Sequence, residues 1–183
     1  MQSRDFSVLK ISSDGLILAA STEALAQDVP EGCFFAANIL SRDAEEQLLA
    51  VEASLGPRLL VPEVWRDILP QAGILISSSI SGGTFTERLE DAEKASPGRC
   101  WLFLEKLRMR FPLPCPSGVG EMISQDELNA LLATKPSFYT PELCCRYCYD
   151  LPRAMVLYDT EKTWHEKIKL AQSAGFVGVL IPS

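Results

Sequence analysis

Histidine is almost missing from this chain: a single one, His165, stands in 183 residues. It falls within TEKTWHEKIKLAQ, on what reads as the solvent side of a helix, so no imidazole remains for a Ser-His-Asp triad. Positive charge is also scarce. The 17 Lys and Arg face 24 Asp and Glu, giving a formal charge of -7 and a pI of about 4.8. That balance offers no general attraction to phosphate backbones or anionic lipid, so neither nucleic acid nor a membrane surface is expected as a partner. Long apolar runs are lacking too. Stretches such as Leu16 to Ala20 and Gly73 to Ile76 fall far short of the ~20 residues a bilayer span needs. The opening MQSRDFSVLKISSDG has no apolar core of a signal peptide, and the expectation is a cytoplasmic protein. Neither G-x-x-x-x-G-K-[ST] nor G-x-G-x-x-G occurs, and no cofactor is expected. The piece SISGGTF could set backbone N–H groups at a helix start for a phosphate, or form a plain tight turn.

The six cysteines carry a similar gap. Cys145-Arg-Tyr-Cys148 has metal-ligand spacing, with Cys144 adjacent and Cys115 as a conceivable fourth thiolate, but a second C-x-x-C is missing. Ordinary reduced thiols are expected and no metal. A structural zinc or iron–sulfur site, or a redox pair, is the alternative. Cys33 and Cys100 read as small buried hydrophobes.

With 47% hydrophobic and 22% charged residues, the length suits one full core, and residues 1–183 are expected to form a single domain. No repeat or low-complexity tract interrupts it, and FPLPCPSG reads as a loop. The remainder alternates short apolar runs with amphipathic ones, the pattern of repeated strand and helix units. FSVLKI and LILAAS flank Asp14-Gly15 as a hairpin-like start. CFFAANIL leads to Ser41 and the helix RDAEEQLLAVEASL, ended by Gly56-Pro57. RLLVP is a strand, EVWRDILPQ a short helix with Val64 and Ile68 inward and Trp65 a further candidate for that face, and GILISSSI a strand. TFTERLEDAEKA starts at Thr84 with Glu87 three residues on, and QDELNALLATK at Ser124 with Glu127: both have capping-box spacing. CWLFLEKL is apolar on both faces, as a buried parallel strand requires. FYTPELCCRYCYD reads either as a short helix or as a strand end and loop. AMVLYD, a helix from Thr160 to Gly175, and FVGVLIP close the chain as strand, helix and strand.

About eight strand candidates leave roughly 23 residues per unit, enough for a compact (β/α) barrel below the usual size. The alternative is an open doubly wound parallel sheet. Arg58 to Val61, Ile74 to Ile80, Trp101 to Glu105, Met155 to Tyr158 and Val177 to Ile181 are expected as parallel neighbours. In either architecture the carboxyl ends of the strands carry the site. Those ends include Asn38, Glu63, Ser77 to Gly83, Glu105, the region from Tyr139 to Glu142, Tyr158 with Asp159, and Ser183. Glu105 shares a strand face with Trp101 and Phe103, an acid crowning an aromatic column. It reads as a general acid, or as a strand-end Glu paired with Lys106 or Arg108. Asp159 and Glu63 could supply a second carboxylate, or simply favour the helix starts that follow them. Glu142 is a third candidate partner.

GILISSSISGGTF resembles the third-strand SxGG motif of family 18 glycoside hydrolases, the chitinase-like enzymes. CWLFLE falls one helix later, where that family carries its DxxDxDxE strand. MVLYDTEKTWHEKIKLAQSAGFVGVLI resembles the family's closing strand, helix and G-x-x-G-V strand. These pieces lie within the C-terminal 110 or so residues. The resemblance implies a TIM-like barrel and a carbohydrate ligand, with Glu105 at the catalytic acid and Gly82 and Gly83 on the preceding loop. Two and four positions earlier, where the family has Asp, stand Phe103 and Trp101, and the final strand reads VLIPS without the family's tryptophan. The expectation is therefore a carbohydrate-active barrel with Glu105, Asp159 and Tyr158 in catalytic positions. Glu63, Gly82, Gly83, Tyr139 and Glu142 would contact the substrate. The alternative is a non-catalytic barrel that binds a small molecule, a sugar or a protein.

Overall fold

The computed structural model describes residues 6–11, 15–80, 82–150 and 152–182. Among them the strands are β1 (Ser7–Lys10), β2 (Leu16–Ala19), β3 (Phe34–Ala37), β4 (Leu59–Pro62), β5 (Gly73–Ser77), β6 (Cys100–Phe103), β7 (Arg108–Pro112), β8 (Glu121–Met122), β9 (Phe138–Thr140), β10 (Cys145–Asp150), β11 (Ala154–Tyr158) and β12 (Gly178–Ile181). The helices are α1 (Glu45–Leu55), α2 (Phe85–Ala95), α3 (Gln125–Leu132) and α4 (Glu161–Ala174). None is long and apolar enough to cross a membrane.

Seven strands form one wholly parallel sheet in the order β1-β12-β6-β5-β4-β3-β2. It curls into a nearly closed barrel, the TIM-like architecture. Alternation along each strand sorts the side chains. Leu16, Ala36, Leu60, Leu75, Trp101 and Leu180, each from a different strand, form the buried interior cluster. Phe35, Leu59, Val61, Ile74, Ile76, Leu102 and Val179 point outward into the layer shared with Leu48 of α1, Leu89 of α2 and Ala171 of α4. The Trp101 ring fills the interior edge-on to Phe34, with centroids 5.0 Å apart. Room for it comes from Gly178 and Gly73, where an added Cβ would run into the indole.

Local signals set the helix starts. Thr84 and Glu87 form a reciprocal capping box at α2, and Ser124 and Glu127 form another at α3. Thr160 caps α4 with Thr163 at the third position, and Gly175, at φ 98°, ends that helix in the left-handed region. On α1, the buried Glu52 carboxylate accepts from the backbone N–H groups of Gln71 and Ala72, each at 2.8 Å, fixing the chain ahead of β5.

Several expectations require correction. AMVLYD is a strand, but β11 does not join the parallel sheet. It pairs antiparallel with β7 and β10 in a second, five-stranded sheet ordered β8-β7-β11-β10-β9. Val156 and Tyr158 bury there with Cys148, Ile123 and Leu128 of α3, a core that an amphipathic strand satisfies in either direction. FYTPELCCRYCYD resolves into β9 and β10 of the same sheet. β1 and β2 form no hairpin: they stand at opposite edges of the parallel sheet, because β1 pairs with β12 and β2 with β3. Asp14 of the expected turn lies outside the described residues, as do Ser81 and Ser183. EVWRDILPQ makes only a 3-10 turn over Glu63–Trp65. Trp65 is fully buried and donates from Nε1 to the Ile39 carbonyl at 2.6 Å, while Val64 stays outside. That anchor turns the chain before Pro70.

Candidate functional site

The barrel opens at the carboxyl ends of its strands into a mouth of about 550 Å³. Side chains from all seven strands or the residues just beyond them line it, among them Leu18, Asn38, Glu63, Ser77, Glu105 and Leu180. Glu105 reaches the mouth because period two carries Trp101, Phe103 and Glu105 up the inner face of β6 and its extension. Its position is fixed twice by the serines after β5. The Ser77 hydroxyl donates to Glu105 Oε2, and the Glu105 N–H donates to Ser78 Oγ at 2.9 Å. Ser77 Oγ in turn accepts from the Ser79 N–H at 3.0 Å.

Glu63 follows β4 and faces the same mouth. Arg88, one turn into α2, grips it with both terminal nitrogens, Nη1 to Oε1 at 3.1 Å and Nη2 to Oε2. Arg66 Nη1 adds a longer contact at 3.8 Å. The Arg88 hydrogen bonds hold the Glu63 carboxyl below the usual carboxylate range despite its partial burial. The mouth thus joins the Glu63 carboxylate, gripped by Arg88, with the Glu105 carboxyl, which accepts from the Ser77 hydroxyl.

The other sequence-selected residues lie elsewhere. Tyr158 is buried in the core of the second sheet, where its hydroxyl pairs with the Ser137 hydroxyl. Asp159 follows β11 and is buried: its carboxylate accepts from Lys167 Nζ at 2.7 Å and Thr163 Oγ1 at 2.8 Å. Burial pushes the Asp159 carboxyl up, and the Lys167 contact opposes the shift. Its N–H donates to the Leu107 carbonyl at 3.0 Å, binding together the two connections between barrel and second sheet. Tyr139, in β9, donates to Cys144 Sγ at 3.7 Å. Glu142 is exposed and accepts from the Thr140 hydroxyl at 2.9 Å, while its carbonyl accepts from the Phe85 N–H at the start of α2. Gly82 and Gly83 occupy the turn leading to the Thr84 cap, and Gly83 has φ 69°. His165 is exposed on α4.

All six cysteines fall among the described residues, and none is in a disulfide. Burial pushes the Cys100 and Cys145 thiols up to about 12. Among the described residues no group of three or more His, Cys, Asp or Glu could hold a metal ion.

Sequence reasoning missed two charged partners. Arg88 meets Glu63 across 25 positions, which no local pattern encodes. Lys167 had a readable sign: it occupies the same i, i+4 stripe of α4 as Thr163 and Ala171, the buried face of that helix.

A parallel barrel with carboxylates at its carboxyl-end mouth is an architecture found in many enzymes. No family model matches the sequence, and no curated protein matches it. Solved structures with the same fold do. A family 18 chitinase from Cycas revoluta in complex with (GlcNAc)3 superposes with a TM-score of 0.57 at 11% identity, over 81% of this chain and 62% of its own. A chitinase from Chromobacterium violaceum gives 0.57 at 14%, over 81% and 60%. The spore cortex-lytic enzyme SleL from Bacillus cereus gives 0.55 at 14%, over 80% and 44%. The chain therefore spans about half the length of these structures and shares with them the fold.

Proposed function

We propose that this protein acts on a glycoside, with Glu105 as proton donor and Glu63 as a fixed anion across the mouth. The observation that carries the reading is that these two carboxyl groups line one cavity at the carboxyl ends of the strands. Glu105 gives its proton to the glycosidic oxygen as the bond to the anomeric carbon breaks and its electron pair leaves with that oxygen. Glu63, kept ionised by Arg88, stabilises the positive charge that develops on the sugar ring. Water then adds its oxygen to the anomeric carbon, and its remaining proton restores Glu105. Of the possible second carboxylates, Glu142 is exposed away from the mouth and Asp159 is taken up by Lys167. The fold shared with chitinases, one holding (GlcNAc)3, supports N-acetylated amino sugars as the first substrates to try.

The aromatic column favours a second reading. Below Glu105 stand Phe103 and Trp101, which offer no further acid to the reacting sugar, so the barrel would bind a carbohydrate without turnover. A chromogenic N-acetyl-β-glucosaminide separates the two. Turnover that Glu105→Gln abolishes while the fold persists supports the enzyme. No turnover by either protein, with (GlcNAc)3 binding intact in both by calorimetry, supports the binding module. Absence of both turnover and binding overturns both.

A further inference from the structure

Glu105 borders a second cavity as well as the mouth. This groove, of about 450 Å³, runs between the serine turn after β5 and the near face of the second sheet. Its size is that of a small-molecule site. The walls are Met109, Phe111, Val119, Met122, Leu143 and Leu157. Strand register explains the apolar wall: Met109 stands opposite Leu157, and Phe111 opposite Met155, on one face of the sheet, while α3 covers the other.

Several polar groups on the groove's barrel side bond one another. Lys167 Nζ bonds Asp159 and the Ser78 carbonyl, and Ser78 Oγ accepts from the Glu105 N–H. The Ser79 N–H donates to the Ser77 hydroxyl, whose own proton goes to Glu105. A sugar hydroxyl entering here would give up water for few partners, a cost of about 1–3 kcal/mol for each group left unpaired. An alkyl or aryl group instead lies against the apolar wall of Met109, Phe111, Leu143 and Leu157, opposite the side that carries Glu105 and Lys106.

We infer that the groove takes the leaving group, and that the preferred substrate is a glycoside whose aglycone is apolar. The inference rests on the glycosidase-like reading of the mouth. Glu105 stands where sugar and aglycone would meet, at the oxygen it must protonate. The sugar then occupies the mouth beside Glu63 and Arg88, and the apolar group lies against Met109 and Leu157.

The test is binding of methyl, butyl and octyl N-acetyl-β-glucosaminides, below micelle-forming concentration, to wild type and to Glu105→Gln. Affinity should rise about two- to fourfold per methylene. Val119 and Met122 are each 69% exposed, so Val119→Asp and Met122→Asp should fold normally. Each should bring octyl affinity at least tenfold closer to methyl affinity and leave the methyl glycoside unchanged. A flat series with methyl glycoside or (GlcNAc)3 still bound overturns the groove assignment and spares the reading of the mouth. Loss of methyl glycoside and (GlcNAc)3 binding defeats that reading itself. Octanol bound as tightly as the octyl glycoside overturns the inference, because the sugar would then contribute nothing. A dimer that Met122→Asp dissolves, alongside a flat series, also overturns it and makes the groove an interface between copies.

Discussion

Lys167 Nζ lies 2.7 Å from Asp159 Oδ2, with the two side chains only 1% and 2% exposed. The pair joins α4 to the residue where the second sheet returns to the barrel. Lys167 also reaches the Ser78 carbonyl, and its ammonium sits 5.5 Å from the centre of the Phe85 ring. Burying two charges is costly, and their attraction offsets that cost only while both are present.

Lys167→Met should therefore lower stability by about 3–5 kcal/mol, since it strands a buried carboxylate. The double variant Lys167→Met with Asp159→Leu should recover at least half of the loss, because no lone charge remains. Urea denaturation measures both. A double variant no more stable than the single one would show that the damage comes from lost packing around α4.

Glu63 supplies a pH dependence with a definite sign. Its folded-state pKa lies below the usual carboxylate value because Arg88 bonds the ionised form. Its contribution is thus present above the unfolded value of about 4.3 and is lost as pH falls through the folded one. The stability difference between wild type and Glu63→Gln should be evident at pH 7 and shrink toward zero near pH 2. A difference that holds constant over that range would mean that charge plays no part in the Glu63–Arg88 contact.

Packing around Trp101 distinguishes two glycines. A Cβ on Gly73 would lie 2.6 Å from Leu60 Cδ2 and 2.9 Å from the indole, both side chains that can yield. One on Gly178 would meet the indole and also stand 2.6 Å from the Ser7 carbonyl oxygen of β1, which is backbone. Gly178→Ala should cost about 1–3 kcal/mol, and more than Gly73→Ala. Adding Trp101→Leu should relieve Gly73→Ala and leave most of the Gly178→Ala loss. Equal rescue of both by thermal denaturation would contradict the β1–β12 register at Ser7 and Gly178.

How far the sequence could be read depended on the range of each interaction. Period two placed Trp101, Phe103 and Glu105 on one face, and capping boxes at Thr84 and Ser124 marked the starts of α2 and α3. Both signals are local. AMVLYD was recognisable as a strand, but its pattern does not encode a partner, and the antiparallel ladder to Arg108–Pro112 depends on residues 40 or more positions away. Tyr158 was consequently expected at a barrel mouth, whereas its strand belongs to the other sheet. Glu63 was visible as a strand-end carboxylate. Its ionisation was not, because that depends on Arg88, which only tertiary structure brings near.

The hydroxyl of Ser77 connects the fold to the proposed chemistry. It donates to Glu105 Oε2 and accepts from the Ser79 N–H, so the turn after β5 aims the acid. Should the protein turn over a chromogenic glycoside, Ser77→Ala should lower kcat about ten- to a hundredfold with KM within a few-fold of wild type. The acid would remain but no longer be held in line with the departing oxygen. Ser77→Thr keeps the hydroxyl and should retain most of the rate. Loss of one partly exposed hydrogen bond should change stability by no more than about 1.5 kcal/mol, so unfolding would not account for the fall in kcat. If Ser77→Ala works as fast as wild type, the Ser77–Glu105 contact has no part in catalysis. An equal loss in Ser77→Thr would point instead to crowding at the mouth, because the bonding group is still present.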